Sequence, residues 1–137
     1  MESSLKIAAL SDIHSNVFAF EAIIADAKFR GVDQMLNLGD ILYGPIAPRA
    51  TYDLLMEHDL VTIRGNQDRQ LYEADTESVD LHPTMQFICG DLGPEPLAWM
   101  ASLPFDMQVN EEVYICHGTP KSDLVYLLEN AESIPCS

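Results

Sequence analysis

The sequence predicts an α/β protein built on a parallel sheet. Three observations predict it. Short apolar runs alternate with segments of helical periodicity, in the order strand, helix, strand, helix, strand. The intervening segments are long enough for the right-handed crossover that a parallel pairing needs. Each of the first three runs ends abruptly on polar residues, with glycine adjacent at the second and third (Gly39, Gly65), as strands do where they feed ligand-facing turns of an open sheet.

The first run, Leu5–Leu10 (LKIAAL), has the near-continuous hydrophobicity of a strand buried on both faces. It ends in Ser11-Asp12-Ile13-His14. Side chains two apart on an extended segment point the same way, so Asp12 and His14 are expected to converge just past the strand. Asn16–Arg30 reads as a helix, with Ala19, Ile23, Ala27 and Phe20, Ile24 at helical spacing and Gly31 at its C-terminal cap. Gln34–Leu38 is a second strand, followed at once by Gly39-Asp40. Gly44-Pro45 and Pro48 read as loop punctuation, and Ala50–His58 as a second helix. Leu60–Arg64 is a third strand, running into Gly65-Asn66-Gln67-Asp68.

Gln70–Leu81 is acidic and is expected to form a loose loop or short helix over the mouth of the site. Thr84–Leu92 and Glu95–Ala101 read as helices divided by Gly93-Pro94, the second carrying Trp99 as a core residue. Met107–Val109 and Val113–Cys116 flank Asn110-Glu111-Glu112 as an antiparallel hairpin, which ends in His117-Gly118. Ser122–Asn130 reads as a last helix or turn.

A chain of 137 residues suits a single domain, residues 1–137, with one core. Seven Lys and Arg against 22 Asp and Glu leave a net charge of −15, which excludes a nucleic-acid polymer or an anionic membrane as partner. A small phosphorylated substrate stays compatible, because bound divalent cations invert the local field. No apolar run is long enough to span a bilayer, and the N-terminus lacks the basic start of a signal peptide. Cys89, Cys116 and Cys136 are odd in number and form no CxxC pair, so they read as reduced thiols of a cytoplasmic protein.

Four strand ends thus carry donors of one chemical kind: Asp12 with His14, Asp40, Asn66 and His117. Each has an ordinary alternative, as a helix cap, a turn residue or a satisfied strand-end histidine. Coincidence at four strand ends argues against all of these together. Two carboxylates, an amide carbonyl and two imidazoles suit a pair of divalent ions, with Asp40 able to bridge them.

These blocks (Asp12-x-His14, Gly39-Asp40 with Gly44 beyond, Gly65-Asn66-x-Asp68, His117-Gly118) resemble the calcineurin-like metallophosphoesterases, most closely their smaller bacterial and archaeal phosphodiesterase-type members. The likeness runs from residue 5 to about 130, and Glu95–Pro104 also resembles the family's segment before the hairpin. It implies a four-layer α/β/β/α sandwich, with Asp12, His14 and Asp40 on one metal and Asp40, Asn66 and His117 on the other. Manganese, iron, zinc, nickel or cobalt are the expected ions. A metal-bound hydroxide attacking a phosphomonoester or phosphodiester of a small substrate is the expected chemistry. Arg64 and Arg69 flank the Gly-Asn block as phosphate contacts or, equally, as surface ion-pair partners.

Two departures from the family stand out. Many members follow the Gly-Asn pair with a histidine that protonates the leaving group and is held by the next Asp. Here Gln67 precedes Asp68, and an amide delivers no proton at neutral pH. No Gly-His-x-His block follows His117, and His58 and His82 read as surface or packing residues. A fold incomplete at its C-terminus is therefore expected, with uncovered apolar sheet surface favouring a homo-oligomer. The competing reading is a catalytically impaired metal-binding or regulatory protein that retains the fold.

Overall fold

The computed structural model describes residues 4–128. Three parallel strands, β1 (Ile7–Leu10), β2 (Gln34–Asn37) and β3 (Leu60–Thr62), lie in the order β1-β2-β3. Leu10 stands opposite Asn37, and Asn37 opposite Thr62, so the three carboxyl ends share one rim. Helix α1 (Val17–Phe29) connects β1 to β2, and α2 (Pro48–Met56) connects β2 to β3. Asn16 caps α1 by accepting the Ala19 N–H at 3.0 Å. After β3 come α3 (Asn66–Glu73), α4 (Thr76–Leu81), α5 (Pro83–Leu92) and α6 (Pro94–Ser102), then an antiparallel hairpin of β4 (Asp106–Gln108) and β5 (Tyr114–Cys116).

The sheet separates two cores. On one side Leu10, Phe20, Tyr52, Leu55, Leu71, Ile88, Leu92 and Met100 are buried together beneath the helices. Trp99 packs against this cluster and meets the Tyr52 ring edge-on at 5.7 Å, as a core residue should. On the other side Leu36, Ile63 and Ile115 join Ile7, Leu38, Val61 and Met107, so the hairpin covers β2 and β3. On β1 that cover reaches only Ile7. Ala9 is exposed, and a groove bounded by Ile7–Leu10, Ile23 and Ala27 runs along the strand's unpaired edge. The expectation that β1 is buried on both faces is therefore corrected: β1 is an edge strand in this sheet.

Proline explains most boundary errors. Pro48, Pro83 and Pro94 each open a helix at its first turn, where the missing N–H costs nothing. Each helix starts earlier than its periodicity alone suggests. The segment 70–81 is a second correction. It continues α3 and forms α4, which packs on α5 and does not line the mouth of the site. The segment that does lie there, 123–126, runs through turns to coil over its described part; Glu129 and Asn130 of the expected last helix lie outside the described residues. His58 and His82 are exposed, as expected. No described helix is long and apolar enough to cross a membrane.

Candidate metal centre

Backbone conformation, not strand alternation, brings Asp12 and His14 together. Asp12, His14 and Ser15 have φ of 58°, 47° and 58°, and Asp40 has φ of 55°. All four are in the left-handed region, which costs a non-glycine residue about 1–2 kcal/mol. The β1 turn is held there by the β2 turn. Asp12 N–H donates to the Gly39 carbonyl at 2.9 Å, His14 N–H to the Asp40 carbonyl at 3.1 Å and Ser15 N–H to the Ile41 carbonyl at 2.9 Å. The expected extended geometry of Asp12-x-His14 is thus replaced by a strained turn clamped to its neighbour.

A second clamp joins the β2 and β3 turns. Gly39 and Gly65 pack backbone to backbone, and a Cβ on Gly65 would collide with the Asp40 backbone nitrogen and carboxylate. The fully buried Asp68 lies beneath them. Its carboxylate accepts N–H bonds from Asp40 at 2.9 Å, Ile41 at 2.8 Å and Gly65 at 2.8 Å. Burial pushes this carboxyl up, against the pull of the three donors.

The side chains so placed converge. Ligand atoms of Asp12, His14 and Asp40 all lie within 4.8 Å of one another. His117 Nε2 is 3.1 Å from Asn66 Oδ1 and 3.4 Å from Asp40 Oδ2. Asp40, only 6% exposed, stands between the two groups and also accepts the Gln67 N–H at 3.0 Å.

The imidazoles show what this space is built to hold. His14 Nδ1 lies 2.9 Å from the Tyr43 carbonyl and His117 Nδ1 2.7 Å from the Leu38 carbonyl. A carbonyl only accepts, so both Nδ1 atoms carry the proton and donate it. Both Nε2 atoms then face oxygen acceptors, His14 that of Asp12 at 3.2 Å and His117 those of Asn66 and Asp40. Lone pair against lone pair is repulsive unless a proton or a cation lies between. A ring Nδ1–H held by a carbonyl, with Nε2 aimed at carboxylates, is how histidine is oriented toward a divalent metal. The donor set therefore fits such an ion. Without one, a proton takes the place at His117. The Asp40 carboxylate and the Leu38 carbonyl push His117 up to about 9, against its burial. Burial alone would raise Asp40, but bonds from His117 and from the Gln67 N–H carry it below its ordinary 3.8.

Asp12, His14, Asp40, Asn66, Gln67 and His117 line one cavity of about 440 Å³. Asp68, Arg64 and Arg69 do not line it. Arg64 donates to the Tyr72 hydroxyl at 3.0 Å, with its guanidinium 5.8 Å from the centre of the Phe105 ring. Arg69 holds Asp123 through two bonds of 3.0 Å. Residues that motif reading passed over also line the cavity: Ser11, Cys116, Asp123 and the apolar run Leu124-Val125-Tyr126. The only sequence signal for that run was its place a few residues past the His-Gly block.

Residues 5–135 match the family model described as calcineurin-like phosphoesterase. An uncharacterised protein of Methanocaldococcus jannaschii is 30% identical over 123 residues, which cover 84% of this chain and 50% of that protein. The crystal structure of a metallophosphoesterase from Sphaerobacter thermophilus superposes with a TM-score of 0.74 at 26% identity, over 91% of this chain and 52% of that one. The chain thus spans about half the length of the relatives it matches.

Proposed function

This chain belongs to the calcineurin-like phosphoesterase family, and on that premise we propose that it hydrolyses phosphomonoesters or phosphodiesters of small substrates. Asp12, His14, Asp40, Asn66 and His117 would hold two divalent cations. The observation that carries this reading is the pair of imidazoles whose Nε2 atoms face oxygen acceptors while carbonyls hold their Nδ1–H groups. When bound, divalent cations such as manganese, iron, zinc, nickel or cobalt supply Lewis acidity that activates water and neutralises phosphate charge.

The chain's own residues do the rest. Asp12 with His14, and Asn66 with His117, fix two groups of donors about the shared Asp40. Asp68 acts through backbone N–H groups to set where Asp40 and Asn66 stand, and is a positioning residue. Gln67, at the cavity wall, is placed to hydrogen-bond a phosphate oxygen. It offers no proton to a departing alkoxide, so esters with acidic leaving groups are hydrolysed best.

The same reading takes the two sheets as inner layers of an α/β/β/α sandwich and the protein as cytoplasmic. The β1 edge, unpaired among the described residues and beside the exposed Ile23 of α1, favours self-association. Light scattering against concentration tests that part.

Turnover of bis-p-nitrophenyl phosphate and p-nitrophenyl phosphate with manganese tests the main reading. Activity that Asp40→Ala abolishes supports it. Gln67 favours one rival, a metal-binding regulatory protein without turnover. Calorimetric manganese binding in the absence of hydrolysis would establish that rival.

A further inference from the structure

Most donors of the centre are oriented by a backbone group behind them. The Tyr43 and Leu38 carbonyls hold the Nδ1–H groups of His14 and His117, and the Gln67 N–H holds Oδ1 of Asp40. Asp12 is held differently. Among the described residues the partners of its carboxylate are both side chains: His14 Nε2, 3.2 Å from Oδ1, and Ser11 Oγ, 2.5 Å from Oδ2. Asp12 is also the one exposed donor of the five, its side chain 53% accessible against 8% for Asp40 and 13% for His117.

A carboxylate so open is free to turn about its terminal torsion, whose preference is broad. It can then offer an ion one oxygen or both. The Ser11 hydroxyl removes that freedom. Its O–H donates to Oδ2 at the length usual for a hydroxyl on a carboxylate, and Oδ1 is left facing the His14 ring. An ion chelated by both oxygens would have to share Oδ2 with this hydroxyl or displace it. Ser11 itself lines the cavity, so the bond lies where the ion is received.

The number of oxygens offered decides which cation fits. Calcium gathers up to about eight oxygen ligands and readily takes a carboxylate through both of its oxygens, whereas transition ions hold fewer ligands in stricter geometry. Resting on the metal-holding part of the reading above, we propose that Ser11 is a positioning residue that keeps Oδ1 as the single oxygen Asp12 offers, and so biases the centre toward transition ions such as manganese and against calcium.

The test sets the two cations against each other. Wild-type, Ser11→Ala and Ser11→Thr proteins are loaded with manganese, calcium is added, and released manganese is read by its electron paramagnetic resonance signal. Calcium is expected to displace manganese from Ser11→Ala at a concentration about tenfold lower than from wild type, the low end of what losing a partner behind a metal ligand does to affinity. Ser11→Thr keeps the hydroxyl and is expected to stay within about threefold of wild type. Displacement reads the ratio of two affinities, so a turn merely loosened by the alanine, which weakens both ions alike, does not move it. Position 11 is exposed, and circular dichroism checks that the fold survives. A displacement curve that Ser11→Ala leaves unchanged, or that Ser11→Thr fails to restore, overturns the role of Ser11 while metal binding stands. Wild-type protein that takes up no manganese overturns both.

Discussion

Asp68 offers the sharpest test of how this site is held. It is fully buried, outside the cavity, and its carboxylate accepts backbone N–H groups from Asp40, Ile41 and Gly65. Asp68→Ala removes the acceptor from three buried donors at once. Each buried donor left unpaired costs about 1–3 kcal/mol, and since part of the loss is relieved by relaxation the sum is about 3–5 kcal/mol. That is a large share of the roughly 5–15 kcal/mol that holds a domain folded. Asp68→Asn keeps one oxygen but turns an amide NH2 toward a donor, so about 1–3 kcal/mol is expected. Urea unfolding followed by circular dichroism gives both values. Manganese titration by calorimetry reads the second consequence, since the freed β2 and β3 turns no longer hold Asp40 against Asn66. The expected order in stability and in metal affinity is wild type, then Asp68→Asn, then Asp68→Ala. An alanine variant within about 0.5 kcal/mol of wild type, the size of an ordinary surface change, with unaltered manganese affinity, would refute the clamp.

Three further outcomes follow from the same geometry. His117 is pushed up from its ordinary 6.5 to about 9, so in metal-free protein its pairing with Asp40 contributes fully below pH 6.5 and fades as pH rises through 9. The unfolding free energy should therefore fall across that window by an amount of order 2–3 kcal/mol, and saturating zinc should flatten the slope by displacing the proton. Gly65→Ala drives a methyl into the Asp40 backbone and carboxylate and should cost about 1–3 kcal/mol, whereas Gly90→Ala, at an exposed position of α5 with nothing within 4 Å of the new methyl, should gain about 0.5–1 kcal/mol. Opposite signs in thermal melts of these two check the close approach. Arg69→Gln leaves the nearly buried Asp123 unpaired and should speed amide hydrogen exchange over residues 119–125 several-fold without changing exchange in α5.

The donors were legible in sequence because their chemistry is local. Each stands directly after an apolar run, and the parallel register then puts those of the first three strands at one rim with no further information. The family's motif order added His117. What the sequence did not show is how the rim is assembled. Asp12-x-His14 looks like two side chains on one face of an extended segment, yet both residues are left-handed. Nothing local marks them so, because the bonds that hold the turn come from Gly39, Asp40 and Ile41, nearly thirty residues away. Arg64 and Arg69 illustrate the same limit. Their position beside Gly65-Asn66 suggests phosphate, but tertiary partners direct them to Tyr72 and Asp123. Proline misled in the other direction: Pro48, Pro83 and Pro94 look like breaks and are helix starts.

The strain and the clamps belong to one argument. Four non-glycine residues in left-handed backbone at a single site would cost on the order of 4–8 kcal/mol if each bore the full penalty, although Asp and His tolerate that region better than branched residues. Such a turn persists only if its surroundings over-determine it. Here they do: β1's turn hangs on β2's carbonyls, β2's turn hangs on Asp68, and Asp68 also holds β3's turn through Gly65. Donors fixed in this chain of backbone bonds do not need to be gathered by the ion. At His117 the proton that sits between the imidazole and the Asp40 carboxylate in metal-free protein is what an arriving cation displaces. The turns that carry Asp12, His14, Asp40 and Asn66 are thus set by the chain's own backbone bonds, and His117 joins them through its bond to the Leu38 carbonyl.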